Sequence, residues 1–559
     1  MSEPTTAPSG DDIIQRYEDL KSRRGTWEAH WQDVLDVTLP RKADVTVARS
    51  PGAKRSEKMF DSTAAQAAGD LASSLQSALT PRDRPWFAFR ARGLEQDAVV
   101  RDWLYGAREE LLEELGASNF YSVIHETLLD LVTVGTANLL TEEKPVRQVG
   151  FNGFAFQTIP IAEYVIDEDA QGAVDTVFRR FALTARQAAQ HFGLADLPDP
   201  IRAAARETLK GERSFDFVHG VFPRTVRRER SRLGKDLEWA SAYIAVEGRH
   251  VVRAGRYEEM PFHVPRWSKA AREIYGRSPA MLALPDIKTL NLIVRYGLEA
   301  LPLALYPPFL IKEGTLASGQ LQLTPGAQNH WDGQLDDKPT QIDWRGNVAI
   351  EQTKEADYRA RIMRGMHADK LRMKDSPQMT ATEVLERREE MLRIVGPTVA
   401  RLESELLNPL VERCFMLMLR AGALGEVPQA FRAAKRMDIE YASPLAQASK
   451  MHRLRALQDW YASNQAAIQT NPQILDIIDA EAAARDAAEI LGLPPAYVRS
   501  PQAVAQRRAA QAQARQQQQA AVAQVQGAGA DGGGGEGVPV AAGAGADDGL
   551  AALRQGVGA

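Results

Sequence analysis

Apolar residues recur every three or four positions through most of the first 140 residues, the spacing of one face of an α-helix. In "IIQRYEDLKSRRGTWEAHWQDVLDVTLP" Tyr17, Leu20, Trp27, Trp31, Val34 and Leu35 fall near that spacing, and Pro40 ends the run. In "FDSTAAQAAGDLASSLQSALTPRDRPWF" Ala64, Ala67, Ala68, Leu71, Leu75, Ala78 and Leu79 share a face. Asp61, Ser62 and Thr63 are N-cap candidates there, and Pro81 cannot continue the helix. Alanine and serine make this face smooth enough for a neighbouring backbone, of the same chain or of another, to approach closely. Two further helical runs follow, "VVRDWLYGAREELLEELGASNF" and "YSVIHETLLDLVTVGTANLLTEEK", the second grading into β-prone sequence.

From Phe151 to Met260 the period shortens. β-Branched and aromatic runs alternate there with turn residues such as Asp169, Gln171, Gly172, Glu247 and Gly248, and Thr184 with Gln187 forms a capping-box pattern before "ARQAAQHFG". This quarter is predicted to be mixed α and β. From Ser278 a helix, "SPAMLALPDIKTLNLIVRYGLEAL", leads into "PLALYPPFLIKEG", where Pro302, Pro307 and Pro308 argue against helix. A loop-rich insert over 306–347 is followed by a charged helix from Val348. Thr380 and Glu383 open the longest apolar stripe, Met391, Val395, Val399, Leu402, Leu406 and Leu410, with a kink predicted at Gly396-Pro397. Helices continue to about Ser500. The Gln/Ala-rich 501–526 is compatible with helix, and the Gly-rich sequence from Gly527 is predicted to be disordered.

Composition narrows the class. A chain of 559 residues exceeds one hydrophobic core, and 44% hydrophobic with 25% charged residues exclude a wholly disordered protein. The formal net charge of −5 gives no long-range attraction to phosphate, so any nucleic-acid contact must come from local patches. Cys414 is the single cysteine and sits in the apolar run "LVERCFMLML", as expected of a buried thiol in a reducing compartment. "MSEPTTAPSGDDII" carries no secretory pattern, and no apolar run approaches the ~20 residues of a membrane span. The expectation is a chain with no membrane partner.

Chemistry-bearing motifs are scarce. GxxxxGK[ST], HExxH, paired CxxC and GxSxG do not occur, and "GAGADG" at 527–532 matches GxGxxG only inside the low-complexity tail. His125, His191 and His452 fall on amphipathic helices, where a satisfied imidazole is the ordinary state. No catalytic residue, metal ligand or cofactor site is nominated, and no enzyme is expected. One charge cluster remains. Arg359, Arg361, Arg364, Lys370, Arg372 and Lys374 are opposed between 359 and 374 only by Asp369, a local net of +5. Such a run is either a solvated face paired with neighbouring acids or a set of phosphate contacts without base readout.

The ordered landmarks "FDSTAAQAAGDLASSLQSALTPRDRPWF", "GTANLL", "YGRSPAMLALPDIKTLNLI", "PPFLIKEG", "SPQMTATEVLERREEML" and "SPLAQA" resemble the portal, or head-to-tail connector, protein of short-tailed T7-like bacteriophages over residues 11–500. The resemblance implies a mainly α ring subunit with a mixed α/β wing, usually twelve to a ring, at one capsid vertex, through which the genome is packaged, retained and ejected. It further implies a helical layer and wing over 1–280, a first stem helix at 281–305, a clip at 306–347 and a second stem helix at 348–368. A tunnel loop at 369–380, a kinked wing helix at 381–425, a crown at 426–500 and a candidate C-terminal barrel helix at 501–526 would complete it. The implied partners are further copies of the chain, double-stranded DNA without sequence preference, the terminase large subunit, a tail adaptor, and scaffolding and capsid proteins. Assembly in the host cytoplasm and residence in the virion follow. On this reading Lys370, Arg372 and Lys374 face the DNA channel, while Arg359, Arg361 and Arg364 divide between channel and inter-subunit ion pairs. The alternative is a soluble DNA-binding protein or an enzyme with an unrecognised site.

Overall fold

The computed structural model describes residues 9–50, 52–94, 97–145, 150–207, 210–224, 238–305, 309–310, 340–341, 348–368, 396–434, 437–441, 444–471, 473, 477–490, 497–498, 504, 506–514 and 516. The chain divides into two compact units, Met1–Ala480 and Glu481–Ala559. In the second, helix Ala480–Ile490 continues past the boundary and residues 506–514 are helical, with Arg508 reaching Glu481 at 3.0 Å.

The first unit opens with helices α1 (Gly10–Arg23), α2 (Gly25–Thr38) and α3 (Thr63–Leu79). The first long run is therefore two helices, broken at Arg24. Arg24 is 2% exposed, and its guanidinium donates to the carbonyls of Ile161, Ala162 and Tyr164 and pairs with Glu28. On α3, Ala64, Ala67, Ala68, Leu71, Leu75 and Leu79 are buried as their spacing predicts, with Ala72 beside them. That smooth face belongs to the chain's own core, where α3 packs against α5 (Phe120–Val134), α2 and the later helices α8 (Pro279–Leu305) and α9 (Val348–Gly365).

Strand β1 (Phe87–Ala91) and helix α4 (Ala98–Ala117) lie between α3 and α5. After α5, strands β2 (Leu139–Glu143) and β3 (Phe154–Thr158) join the short β9 (Phe262–His263) in a three-stranded sheet ordered β3-β2-β9. An antiparallel five-stranded meander follows, made of β4 (Tyr164–Glu168), β5 (Val174–Thr184), β6 (Ser214–Pro223), β7 (Trp239–Ala245) and β8 (His250–Tyr257). Its period of two serves two cores. Phe215 and Phe217 face α6 (Ala185–Phe192) and α7 (Asp199–Arg206), while Val218 and Phe222 face Ile13, Ile14, Tyr17 and Leu20 of α1. The Thr184–Gln187 capping box is formed by both of its bonds. Asp169 Oδ1 accepts from the amides of Gln171 and Ala173, and Gly172 takes φ +85°, closing the β4–β5 turn.

Helix α8 spans Pro279–Leu305 and contains both Pro285 and Pro302, so Pro302 does not end it. Each proline costs one backbone bond. At Pro302 the carbonyl left over is that of Leu298, a residue 57% exposed, so the lost donor is not demanded inside a packed core. Helix α9 (Val348–Gly365) packs along α8, and between them β10 (Phe309–Leu310) pairs antiparallel with β11 (Thr340–Gln341). The capping box predicted at Thr380 and Glu383 lies outside the described residues, as do Met391 and Val395. The turn preceding Gly396-Pro397, where the kink is predicted, lies outside the described residues; from Gly396 the chain is helical, with an irregularity at Glu403–Leu407, a π-turn in which the Asn408 amide reaches the Glu403 carbonyl. Pro409 accounts for it: it offers no N–H to the Glu405 carbonyl, and its ring would collide with that oxygen in a regular turn. The helix resumes at Asn408–Arg420, where Cys414 is fully buried and burial pushes its thiol pKa up. Strand β12 (Met437–Tyr441) returns to pair with β1.

Candidate functional site

The α8–α9 hairpin is the feature to which the basic cluster belongs, and three side chains fix its base to the start of α3. Asn291 on α8, 6% exposed, accepts the backbone amides of Phe60 (2.7 Å) and Asp61 (3.1 Å) on one amide oxygen and donates to the Ile287 carbonyl at 2.9 Å. Arg359 on α9 reaches Asp61 Oδ2 with both Nε and a terminal nitrogen at 3.0 Å, and Glu355 at 3.1 Å. The Arg295 guanidinium, paired with Glu299, lies 5.9 Å from the centre of the Phe60 ring. Burial opposes ionisation of Asp61, but bonds from the Thr63 side chain and amide together with Arg359 outweigh it and hold the carboxyl below its usual range. Of the three cap candidates Ser62 holds the N-cap position without a side-chain bond, while Asp61, one residue before it, accepts the Thr63 amide on its other oxygen at 2.8 Å.

The remaining basic residues are treated unevenly. Arg361 pairs with Asp357 at 2.8 Å and lies over Tyr358. Arg364 is exposed, donates to the Ala360 carbonyl at 3.2 Å, and has no carboxylate within 4.0 Å among the described residues. Lys370, Arg372 and Lys374 lie outside the described residues.

Beyond Val294, α8 leaves the core. Its stripe of Ala283, Ile287 and Leu290 is buried, yet the same stripe continues to Leu298 and Leu301, which are 57% and 50% exposed. Leu282, Leu292 and Tyr296, on roughly the opposite face, are exposed as well.

At the foot of α8 two of the sequence landmarks interlock. Gly135 ends α5 with φ +78°, and the Trp267 amide donates to its carbonyl at 2.9 Å. The Gly276 amide donates to Thr136 Oγ1 at 2.8 Å, and Ser278 both donates to the Thr133 carbonyl and accepts the Met281 amide at the start of α8. Next to this crossing Arg266, 1% exposed, is bonded to Glu168, to both oxygens of Glu405 in the π-turn, and to the carbonyls of Ile274 and Gly172. Lys269 adds a second cation to Glu168 at 2.6 Å. Sequence spacing gave no sign of this network, because its members come from three separate segments, 168–172, 266–274 and Glu405.

Among the described residues no group of three or more His, Cys, Asp or Glu is placed to hold a metal, and no helix is long and apolar enough to cross a membrane. His125 Nδ1 lies 3.1 Å from Gln76 Oε1, and burial lowers the pKa of His191; the side chain of His452 lies outside the described residues.

The hairpin of α8 and α9 thus packs on an α/β body and leaves apolar side chains of α8 exposed on two faces. The family model for "Bacteriophage head to tail connecting protein" matches residues 10–498, and the chain belongs to that family. It is 28% identical to the probable portal protein of Bordetella phage BPP-1, over 89% of this chain and 92% of that one. It is also 28% identical to the portal protein of Salmonella phage epsilon15, over 89% and 91%. The portal protein of Escherichia phage T7 is 26% identical over 52% of each chain. The role that follows is that of a portal at a capsid vertex, a virion component through which the genome is packaged and ejected.

Proposed function

We propose that the chain forms a closed ring, in twelve copies as is usual for the family, with α8 and α9 as the stem helices and the 306–347 insert as the clip. The supporting observation is the pair of exposed apolar stripes on roughly opposite faces of α8. A closed ring requires each subunit to meet two neighbours through two different surfaces, and apolar side chains this exposed call for cover. Residues 1–280 are the helical layer and wing, and 369–380 the tunnel loop. The wing-helix segment is 381–425, its helix ending at Arg420, the crown covers 426–500, and 501–526 is the candidate barrel helix. The partners are duplex DNA in the channel, the terminase large subunit and then a tail adaptor at the clip, and scaffolding and capsid proteins around the wing. Assembly takes place in the host cytoplasm, and the subunit itself catalyses no reaction.

Lys370, Arg372 and Lys374, with Arg364, face the channel and hold DNA through phosphate contacts alone. Negative-stain microscopy and light scattering of the purified chain test the ring; a monomer at all concentrations would refute it. Replacing Lys370, Arg372 and Lys374 together with alanine is expected to leave rings intact, since exposed charges contribute little to stability, and to lower genome retention with a shallower salt slope than the parent, the deficit being greatest at low salt. Retention equal to the parent across ionic strengths would assign these residues to a solvated face.

A further inference from the structure

We infer that Phe60-Asp61 is a clamp that closes both helices of the hairpin onto α3, and that Arg359 is a positioning residue of this clamp and not a phosphate contact. The inference rests on the stem reading for its consequence but not for its geometry. Asn291 from α8 takes two adjacent backbone amides on one oxygen, which fixes the direction of the Phe60-Asp61 peptide. The same two-residue segment then presents Asp61 to Arg359 on α9, and the Phe60 ring to Arg295 on α8. Asn291 and Asp61 are 6% and 9% exposed, so neither amide nor carboxylate has water as a ready substitute.

The charge balance points the same way. Arg359 lies between two carboxylates, Asp61 and Glu355, at 3.0 and 3.1 Å. A phosphate approaching this guanidinium meets a site already neutralised, with one buried carboxylate that would lose its partner if the arginine turned away. Arg364, five residues on, carries no such obligation to an acid among the described residues.

Asp61→Asn, Arg359→Gln, the double variant and Arg364→Gln test this in the full-length chain. Hydrogen–deuterium exchange over residues 59–62 and 287–295 is read against α5 as an internal standard. The exchange arm needs no ring, so it is decided separately from the portal reading. Asp61→Asn and Arg359→Gln are each expected to raise exchange over 59–62 by about tenfold, the loss of one charge-assisted bond, with α5 unchanged. The double variant is expected to exchange no faster than either single one, because both remove the same contact. In phage particles the salt slope of genome retention should stay at the parental value for Arg359→Gln and become shallower for Arg364→Gln. Unchanged exchange over 59–62 in Arg359→Gln, or a salt slope that falls as far as in Arg364→Gln, would overturn the inference.

Discussion

Replacing Gly276 with alanine is expected to be among the most damaging single-methyl additions in the molecule. A Cβ there would stand 2.3 Å from the Gly135 carbonyl oxygen, with Arg266 Cβ and Cα at 3.0 and 3.2 Å. Two of those three neighbours are backbone atoms, so no rotamer change relieves the contact, and the crossing chains must separate by about 0.7 Å to restore the closest approach real Cβ atoms make. Separation strains the bonds tying the crossing together, Gly276 N to Thr136 Oγ1 and Trp267 N to the Gly135 carbonyl. Overpacking costs roughly 1–3 kcal/mol, and two weakened hydrogen bonds add about 1–3 more, a total of about 2–6 kcal/mol. Denaturant unfolding followed by circular dichroism reads this directly. Gly69→Ala is the control, since a Cβ at Gly69 meets nothing within 4 Å inside α3; it should gain about 0.5–1 kcal/mol. A Gly276→Ala midpoint within about 0.5 kcal/mol of the parent, on that scale, would show that the backbone crossing is not as close as described.

Acid should weaken the fold before ordinary carboxylates titrate. Burial, with Arg179 beside His219 and Arg413 beside His263, pushes both imidazoles down to about 3. Between the free value of 6.5 and about 3 the unfolded chain therefore binds two protons that the folded chain does not, and stability falls with pH. Asp130 opposes this: burial raises it to about 6 despite Lys42, so below 6 the folded chain gains one proton over the unfolded. From these three groups alone the loss from pH 6 to 5 is about 1.4 kcal/mol per unit, twice that if Asp130 is made Asn, and a midpoint flat from pH 6.5 to 5 would contradict it. Glu405→Ala should cost about 3–5 kcal/mol by leaving Arg266 short of its main partner, and Arg266→Met with Glu405→Leu less than the sum of the single changes; strict additivity in denaturant titrations would refute the network.

What sequence made legible was local. The helical face of α3 and the Thr184–Gln187 box depend on residues three and four apart, and both appear where the spacing puts them. The pairing of β1 with β12 did not announce itself, because "FAFRA" lies in helical surroundings and its partner comes some 350 residues later. Asp61 was readable as a cap; its second role depends on Arg359, 298 positions away. Proline misled in one place and was passed over in another. At Pro302 the freed carbonyl belongs to an exposed residue, Leu298, and the helix tolerates the loss, whereas Pro409, inside packed surroundings, forces the π-turn that presents Glu405 to Arg266.

The uneven treatment of the α9 arginines bears on how a conduit is charged. A duplex must be retained yet slide, so no single contact should cost much to break, and cations already matched by acids suit the walls better than the gripping points. Arg359 and Arg361 are matched within 3.0 Å by Asp61 and Asp357. Fixed pairs of this kind have little field beyond a Debye length of about 8 Å at physiological salt. Arg364 sits in the last turn of α9, where the helix dipole presents partial negative charge, and part of its own charge goes to offsetting that end. Attraction for phosphate is therefore weak along the helix and, on the reading proposed above, rises only past its end, where Lys370, Arg372 and Lys374 follow with Asp369 as the sole acid among them. Ring closure multiplies those three charges by the subunit number, and each phosphate neutralised adds close to one unit to the salt slope. On that reading most of the salt dependence of retention belongs to the segment after α9, with a smaller share from Arg364, and the geometry of the hairpin belongs to Asp61, Asn291 and Arg359 at its base.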